Sequence, residues 1–248
     1  MKKLIPALCM LLVAAALLGT STFAWFSINT TVHATGMSVK AAASKNLLIS
    51  KSEASGFSAA IDFTEDGEVT SLVPVSTSGT TGANPTFYKV DDVGEGMTAD
   101  SHEKADDTTF KAAVSGTDYV QKTMYVKATS GEFENLSATV SCTGTAADLD
   151  PALRVMLVVN EDRFFFAPNA GATSPWKGIS DTDGAEGAEI TAGTATQTIL
   201  DELTGTCEVT VYIWYEGQDE SCYSLNAEVL QTKNIQITFT ATPVEEQA

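Results

Sequence analysis

Apolar and polar residues alternate with a period of two through much of this 248-residue chain. That is the pattern of strands with one face buried. Near the start, Phe26, Ile28, Val32 and Ala34 share one face, and Ser27, Asn29, Thr31 and His33 share the other. Val120, Met124 and Val126 alternate with Gln121, Thr123 and Tyr125. Leu136, Ala138, Val140 and Cys142 alternate with Ser137, Thr139 and Ser141. Cys207, Val209, Val211, Ile213 and Tyr215 alternate with Glu208, Thr210, Tyr212 and Trp214. Ile235, Ile237, Phe239 and Ala241 do so with Gln236, Thr238 and Thr240. Leu153–Val159 is apolar almost throughout, which predicts a central strand covered on both sides. Helical spacing is confined to two short stretches, Thr198–Leu203 and Tyr223–Leu230. Many short strands separated by Gly- and Asp-rich turns predict an all-β fold, a jelly-roll-like antiparallel β-sandwich. Neither an internal repeat nor a Pro-rich linker is present, so residues 37–248 are expected to form one domain.

The first residues follow a different rule. Lys2 and Lys3 precede an apolar run from Leu4 to Leu18, then small polar residues and Phe23-Ala24. This is the layout of a secretory signal peptide, helical in its apolar part, covering residues 1–24, with cleavage between Ala24 and Trp25. An uncleaved membrane anchor is the rival, since no charged residue lies between Leu4 and Val39. Either way the chain is exported. With cleavage it contacts membrane only until the leader is removed, and signal peptidase is a transient partner.

Charge narrows the choice of partners. Lys plus Arg is 14 against 32 for Asp plus Glu, a formal net charge of −18. A surface this acidic repels phosphate backbones, so nucleic acid is not expected as a partner. Apolar residues make up 44%, enough for a packed core. Two long loops are expected, 91–107 with seven acids and 178–193 rich in Gly, Ala and acids. Within the second, Asp181, Asp183 and Glu186 supply the oxygen ligands that calcium favours. They lack EF-hand spacing, so a weak calcium site is set against a solvated acidic loop.

Candidate catalytic chemistry is sparse. The two histidines, His33 and His102, lie far apart, with no HExxH and no G-x-S-x-G motif. Paired carboxylates of a secreted hydrolase stay formally open, but among so many acids the sequence singles out no pair. The expectation is therefore a non-enzyme without a cofactor. Trp176, Trp214 and Tyr215 form either a glycan-stacking surface or ordinary sheet packing. Cys9 leaves with the leader. Cys142, Cys207 and Cys222 remain, which allows at most one disulfide, in any of three pairings, or none.

Three stretches resemble a known family. Gly19–Ser27 with Val32–Val39 resembles the leader junction and first strands of the TasA/camelysin-like secreted proteins of Gram-positive bacteria. Asn234–Thr242 resembles their last core strand, and Ile213–Cys222 resembles a segment of gut-Firmicute members. The long middle of the chain carries no motif of that family. The resemblance implies a jelly-roll subunit of an extracellular matrix (biofilm) fibre, in which the N-terminal strand of one copy completes the sheet of the next. Camelysin-like relatives are also labelled metallopeptidases, but no ligand set for that activity is visible here.

The residues themselves allow the same reading. Residues 25–36 carry no charge and would be freed by cleavage. Phe26, Ile28 and Val32 are alternate anchors of the kind that give strand addition its specificity. The terminal strand, with Ile235, Ile237 and Phe239, is the expected wall of the groove that receives them. Head-to-tail addition does not close on itself, and so gives filaments. The expected function is thus a secreted or surface fibre subunit that polymerises with itself. The alternatives are a monomeric surface module binding glycan or host ligand through its acidic loops and Trp176, or a secreted hydrolase.

Overall fold

The structure is a computed structural model that describes residues 38–41, 47–63, 72–77, 82–92, 109–142, 150–169, 176–180, 189–191, 195–219, 222 and 235–244. Among them every regular element is a strand: β1 (Ser38–Ala41), β2 (Leu47–Ser50), β3 (Ala60–Asp62), β4 (Pro74–Thr77), β5 (Phe87–Asp92), β6 (Thr109–Ala112), β7 (Val120–Cys142), β8 (Leu153–Val159), β9 (Asp162–Pro168), β10 (Trp176–Ile179), β11 (Glu189–Thr191), β12 (Thr196–Glu216) and β13 (Ile235–Pro243). The fold is all-β, as the alternation predicts.

Two long strands organise the rest. Strand β7 pairs antiparallel with β12 along almost its whole length. Both bend where the register breaks between Thr204 and Thr206. Gly131 and Gly205 sit there with φ of 73° and 78°, a left-handed backbone that strongly favours glycine. The bend lets each strand serve two sheets. On one side of it, order runs β2–β7–β12–β8–β9–β10–β11. On the other, it runs β3–β1–β13–β7–β12. Pairing is antiparallel except for β1 with β13 and β4 with β12, which makes the sheet mixed.

The main core lies between these two parts. Inward residues of β7 (Met124, Val126, Leu136, Ala138, Val140), β8 (Leu153, Val155, Leu157, Val159), β12 (Val209, Val211, Ile213, Tyr215) and β13 (Ile235, Ile237, Phe239) form one cluster. The other face of β8 and β12 is buried too. Met156, Val158, Tyr212 and Trp214 pack under a small layer, β4–β5–β6, through Val75 and Phe87. Every residue of β8 is consequently buried, as its unbroken apolar run predicts.

Two expectations fail on local details. The stretches 91–107 and 178–193 are not loop throughout, since Asp91 and Asp92 end β5, Gly178 and Ile179 end β10, and Glu189–Thr191 form β11. Thr198–Leu203 is not helical but part of β12. Ile199 and Leu203 are buried four residues apart, which imitates a helix face. A register shift between Thr198 and Leu200 breaks the strict alternation that would have marked the strand. Tyr223–Leu230 and the leader, residues 1–24, lie outside the described residues.

Candidate functional site

Strand β13 carries the residues expected to wall an acceptor groove. The structure buries Ile235, Ile237 and Phe239 in the chain's own core, at most 4% exposed. The backbone of β13 is likewise committed over Ile237–Phe239. One edge pairs with Val140–Ala138 of β7, and the other pairs in parallel with Val39–Ala41 of β1. Strand β1 is covered in turn by β3, with Val39 opposite Ile61. An isolated bridge from Ile49 of β2 to Ser58 closes the circuit back to β7. Beyond Phe239, the stretch Thr240–Pro243 has β7 on one side and, among the described residues, no strand on the other. Among the described residues, the outer side of β13 is therefore paired over Ile237–Phe239.

The donor anchors Phe26, Ile28 and Val32, the cleavage pair Ala24 and Trp25, both histidines, and the calcium candidates Asp181, Asp183 and Glu186 lie outside the described residues. Among the described residues, no group of three or more His, Cys, Asp or Glu is placed to hold a metal ion. The glycan-stacking surface does not form, because Trp176 and Trp214 are fully buried and Tyr215 nearly so. Cys142, Cys207 and Cys222 are all free thiols, and no bridge joins any pair. Burial pushes the Cys207 thiol up to about 11, with the Glu208 carboxylate adding to it. Burial does the same to Cys222, up to about 12, reinforced by Asp150, Asp219 and Glu216.

The polar feature that sequence reasoning missed lies where β8 begins and β12 ends. Arg154 is the charged interruption in the apolar run of β8 and is 1% exposed. Its guanidinium donates to Asp219 Oδ2 at 2.7 Å and to the carbonyls of Pro151 and Leu153. Asp150 Oδ1 accepts from the Ala152 amide at 2.8 Å and so fixes the turn into β8. Glu216, the last residue of β12, is completely buried. Its Oε2 accepts from the Trp214 indole at 3.1 Å and its Oε1 from the Gln218 amide at 3.2 Å. Ser76 of β4 also hydrogen-bonds to it. Burial pushes the Glu216 carboxyl above the ordinary glutamate range, against the opposing pull of these hydrogen bonds and of Arg154. The signal was present in the sequence. A charge inside a strand covered on both faces must find a buried partner, but nothing local says which of the many acids that partner is.

A second buried charge ties down the covering layer. Asp118 is 1% exposed, pairs with Lys89 of β5 at 2.6 Å and accepts the Val114 amide at 2.8 Å. Both clusters join elements of the fold to one another.

Family models, curated proteins and solved structures were each compared with the chain, and none matches.

Proposed function

We propose that the chain is a secreted structural subunit, without catalysis, that builds an extracellular or cell-surface fibre by donating residues 25–36 to the sheet of the next copy. The observation that carries this reading is the entry of β1 into the sheet. Strand β1 follows the uncharged segment closely and lies parallel to β13, with Val39 beside Ile237. Continuing that register upstream would carry the segment past Ile235, off the end of β13. The length of β13 from Ile237 to Phe239 already has a strand on each side. In this register residues 25–36 would run past the described length of the chain's own terminal strand, which supports a neighbouring sheet as their place. In the receiving copy, the stretch Thr240–Pro243, which among the described residues has β7 on one side and no strand on the other, would offer the edge.

The energetics fit a tight joint. Backbone pairing gives strand addition its affinity, and Phe26, Ile28 and Val32 each contribute about 1.5–3 kcal/mol on full burial. The net charge of −18 keeps unassembled copies apart, so an uncharged segment is the part best able to cross between them. Removing residues 25–36 from the mature chain tests the reading. The expected result is a soluble monomer with a β circular-dichroism spectrum and no filaments at any concentration. Filaments formed by the truncated chain would overturn it.

A further inference from the structure

Among the described residues, three large apolar side chains stand exposed: Tyr88 at 46%, Phe110 at 55% and Val114 at 56%. All three belong to the β4–β5–β6 layer and the turn that follows β6. The register brings them together. Strand β5 pairs with β6 so that Tyr88 lies opposite Ala112 and Val90 opposite Phe110. Opposed residues of an antiparallel pair share a face. Phe87 points into the aromatic cluster beneath, so Tyr88, next in the strand, points away from it. Ala112 is exposed as well, and Val114 carries the patch into the turn. Single apolar residues at a surface need no account, but a contiguous group marks a place of contact.

This face is anchored from below. Phe87 stacks on Tyr119 at 4.3 Å between centroids and meets Trp214 edge-on at 5.2 Å. Lys89, opposite Lys111 in the ladder, is held by Asp118 at 2.6 Å. The same carboxylate accepts the Val114 amide at 2.8 Å. Tyr88 thus stands between two anchored residues, and Val114 is fixed by its own backbone. A face carried on anchored strands loses little freedom when a partner settles on it. Charge decides which partner that is. Between Phe87 and Asp118 the sequence carries eight acids against three lysines, within a chain of net charge −18. Another copy of this chain, or an anionic surface, is repelled from such a layer, whereas a cationic partner is drawn to it.

We propose that the outer face of the β5–β6 pair docks a cationic amphipathic segment of another protein, whose apolar side chains cover Tyr88, Phe110, Ala112 and Val114 while its basic side chains meet the acids of the layer. The apolar anchors supply the affinity, and the charge selects the partner and speeds the encounter. This contact stands apart from fibre assembly, since it uses neither residues 25–36 nor β13.

Fluorescence anisotropy of a labelled amphipathic peptide of leucine and lysine, titrated with the mature chain at physiological salt, tests the docking. Saturable binding is expected, and a peptide of the same pattern built from leucine and glutamate is expected not to bind. The double variant Phe110→Ser/Val114→Ser keeps every charge of the chain, so an association driven by charge alone would survive it. The expected result is a loss of affinity of at least about tenfold, the scale on which buried anchors act. Equal binding by wild type and double variant would overturn the proposal, as would no binding of the lysine peptide or equal binding of the glutamate peptide. A neutral glucan oligosaccharide bound by the wild type and lost in the double variant, with the lysine peptide indifferent to the change, would assign the face to sugar and overturn it too. Should the double variant fail to fold, saturation transfer from the peptide to wild-type amides decides. Transfer to Tyr88, Phe110 and Val114 supports the docking face, and transfer to other parts of the chain alone overturns it.

Discussion

Arg154 sets the terms at the scale of single residues. It is buried among apolar side chains and held by Asp219 at 2.7 Å and two carbonyls. Removing one member of such a pair strands the other without water. Arg154→Ala is expected to cost about 3–5 kcal/mol, read as a lowered urea midpoint with an unchanged slope. A loss below about 1 kcal/mol, the figure for an exposed pair, would contradict the buried geometry. The thiols offer a second check. Cys207 and Cys222 have values pushed up to about 11 and about 12, so thiolate is scarce near neutrality. Alkylation at either is expected to run at least about a hundredfold slower than at a model thiol, the fall in thiolate fraction for a shift of this size. A rate near that of the model thiol, followed by mass spectrometry, would refute it. None of this residue-level chemistry could be read from the sequence beyond the oddity of an arginine at position 154. The charged partner of Arg154, Asp219, lies far along the chain, and the return of β12 beside β8 brings the two together.

Among the elements, β7 and β12 bear most of the architecture, and their bend depends on glycine. At Gly205 a Cβ would meet nothing within 4 Å, so the whole cost of a side chain there is backbone strain at φ 78°. Gly205→Ala is expected to lose about 1–2 kcal/mol, measured by chemical denaturation. A neutral result would mean that the backbone there is not held left-handed. Gly178 works differently. Its Cβ would come within 2.9 Å of Gln197 Nε2, which donates to the Phe165 carbonyl in the interior. Legibility at this scale follows length and regularity. Strands β7, β8, β12 and β13 were readable because alternation or unbroken apolarity ran on for long enough. Strand β9 was not, because Phe164, Phe165 and Phe166 stand in succession and are claimed by two different clusters. The turn between β8 and β9 was hidden as well. Asn160 adopts φ of 56° without the glycine that usually announces such a turn. Strands β4, β5 and β6 are short and separated by loops, so no period could establish itself.

For the whole molecule, a −18 chain with an all-β core has an edge problem of its own. Closure through β2, the Ser58 bridge, β3, β1 and β13 removes most of the edge on one side of β7. Among the described residues, β1 covers β13 over Ile237–Phe239. The all-β class was legible because alternation is a global property that local irregularities do not erase. The terminal strand was only half legible. The sequence marks Ile235–Ala241 as a strand, but the occupant of its outer edge, β1, has a sequence too short and polar to declare itself. The fibre reading is tested most directly by electron microscopy of the mature chain, with Trp25 as its first residue, beside Ile28→Asp. A buried unpaired carboxylate costs several kcal/mol or forces the strand out. The substitution should therefore abolish filaments while circular dichroism still reports a folded β protein, because the described strands from Val120 onward have a core of their own. Normal filaments from Ile28→Asp, or an unfolded monomer, would contradict the account by placing this segment in the chain's own sheet.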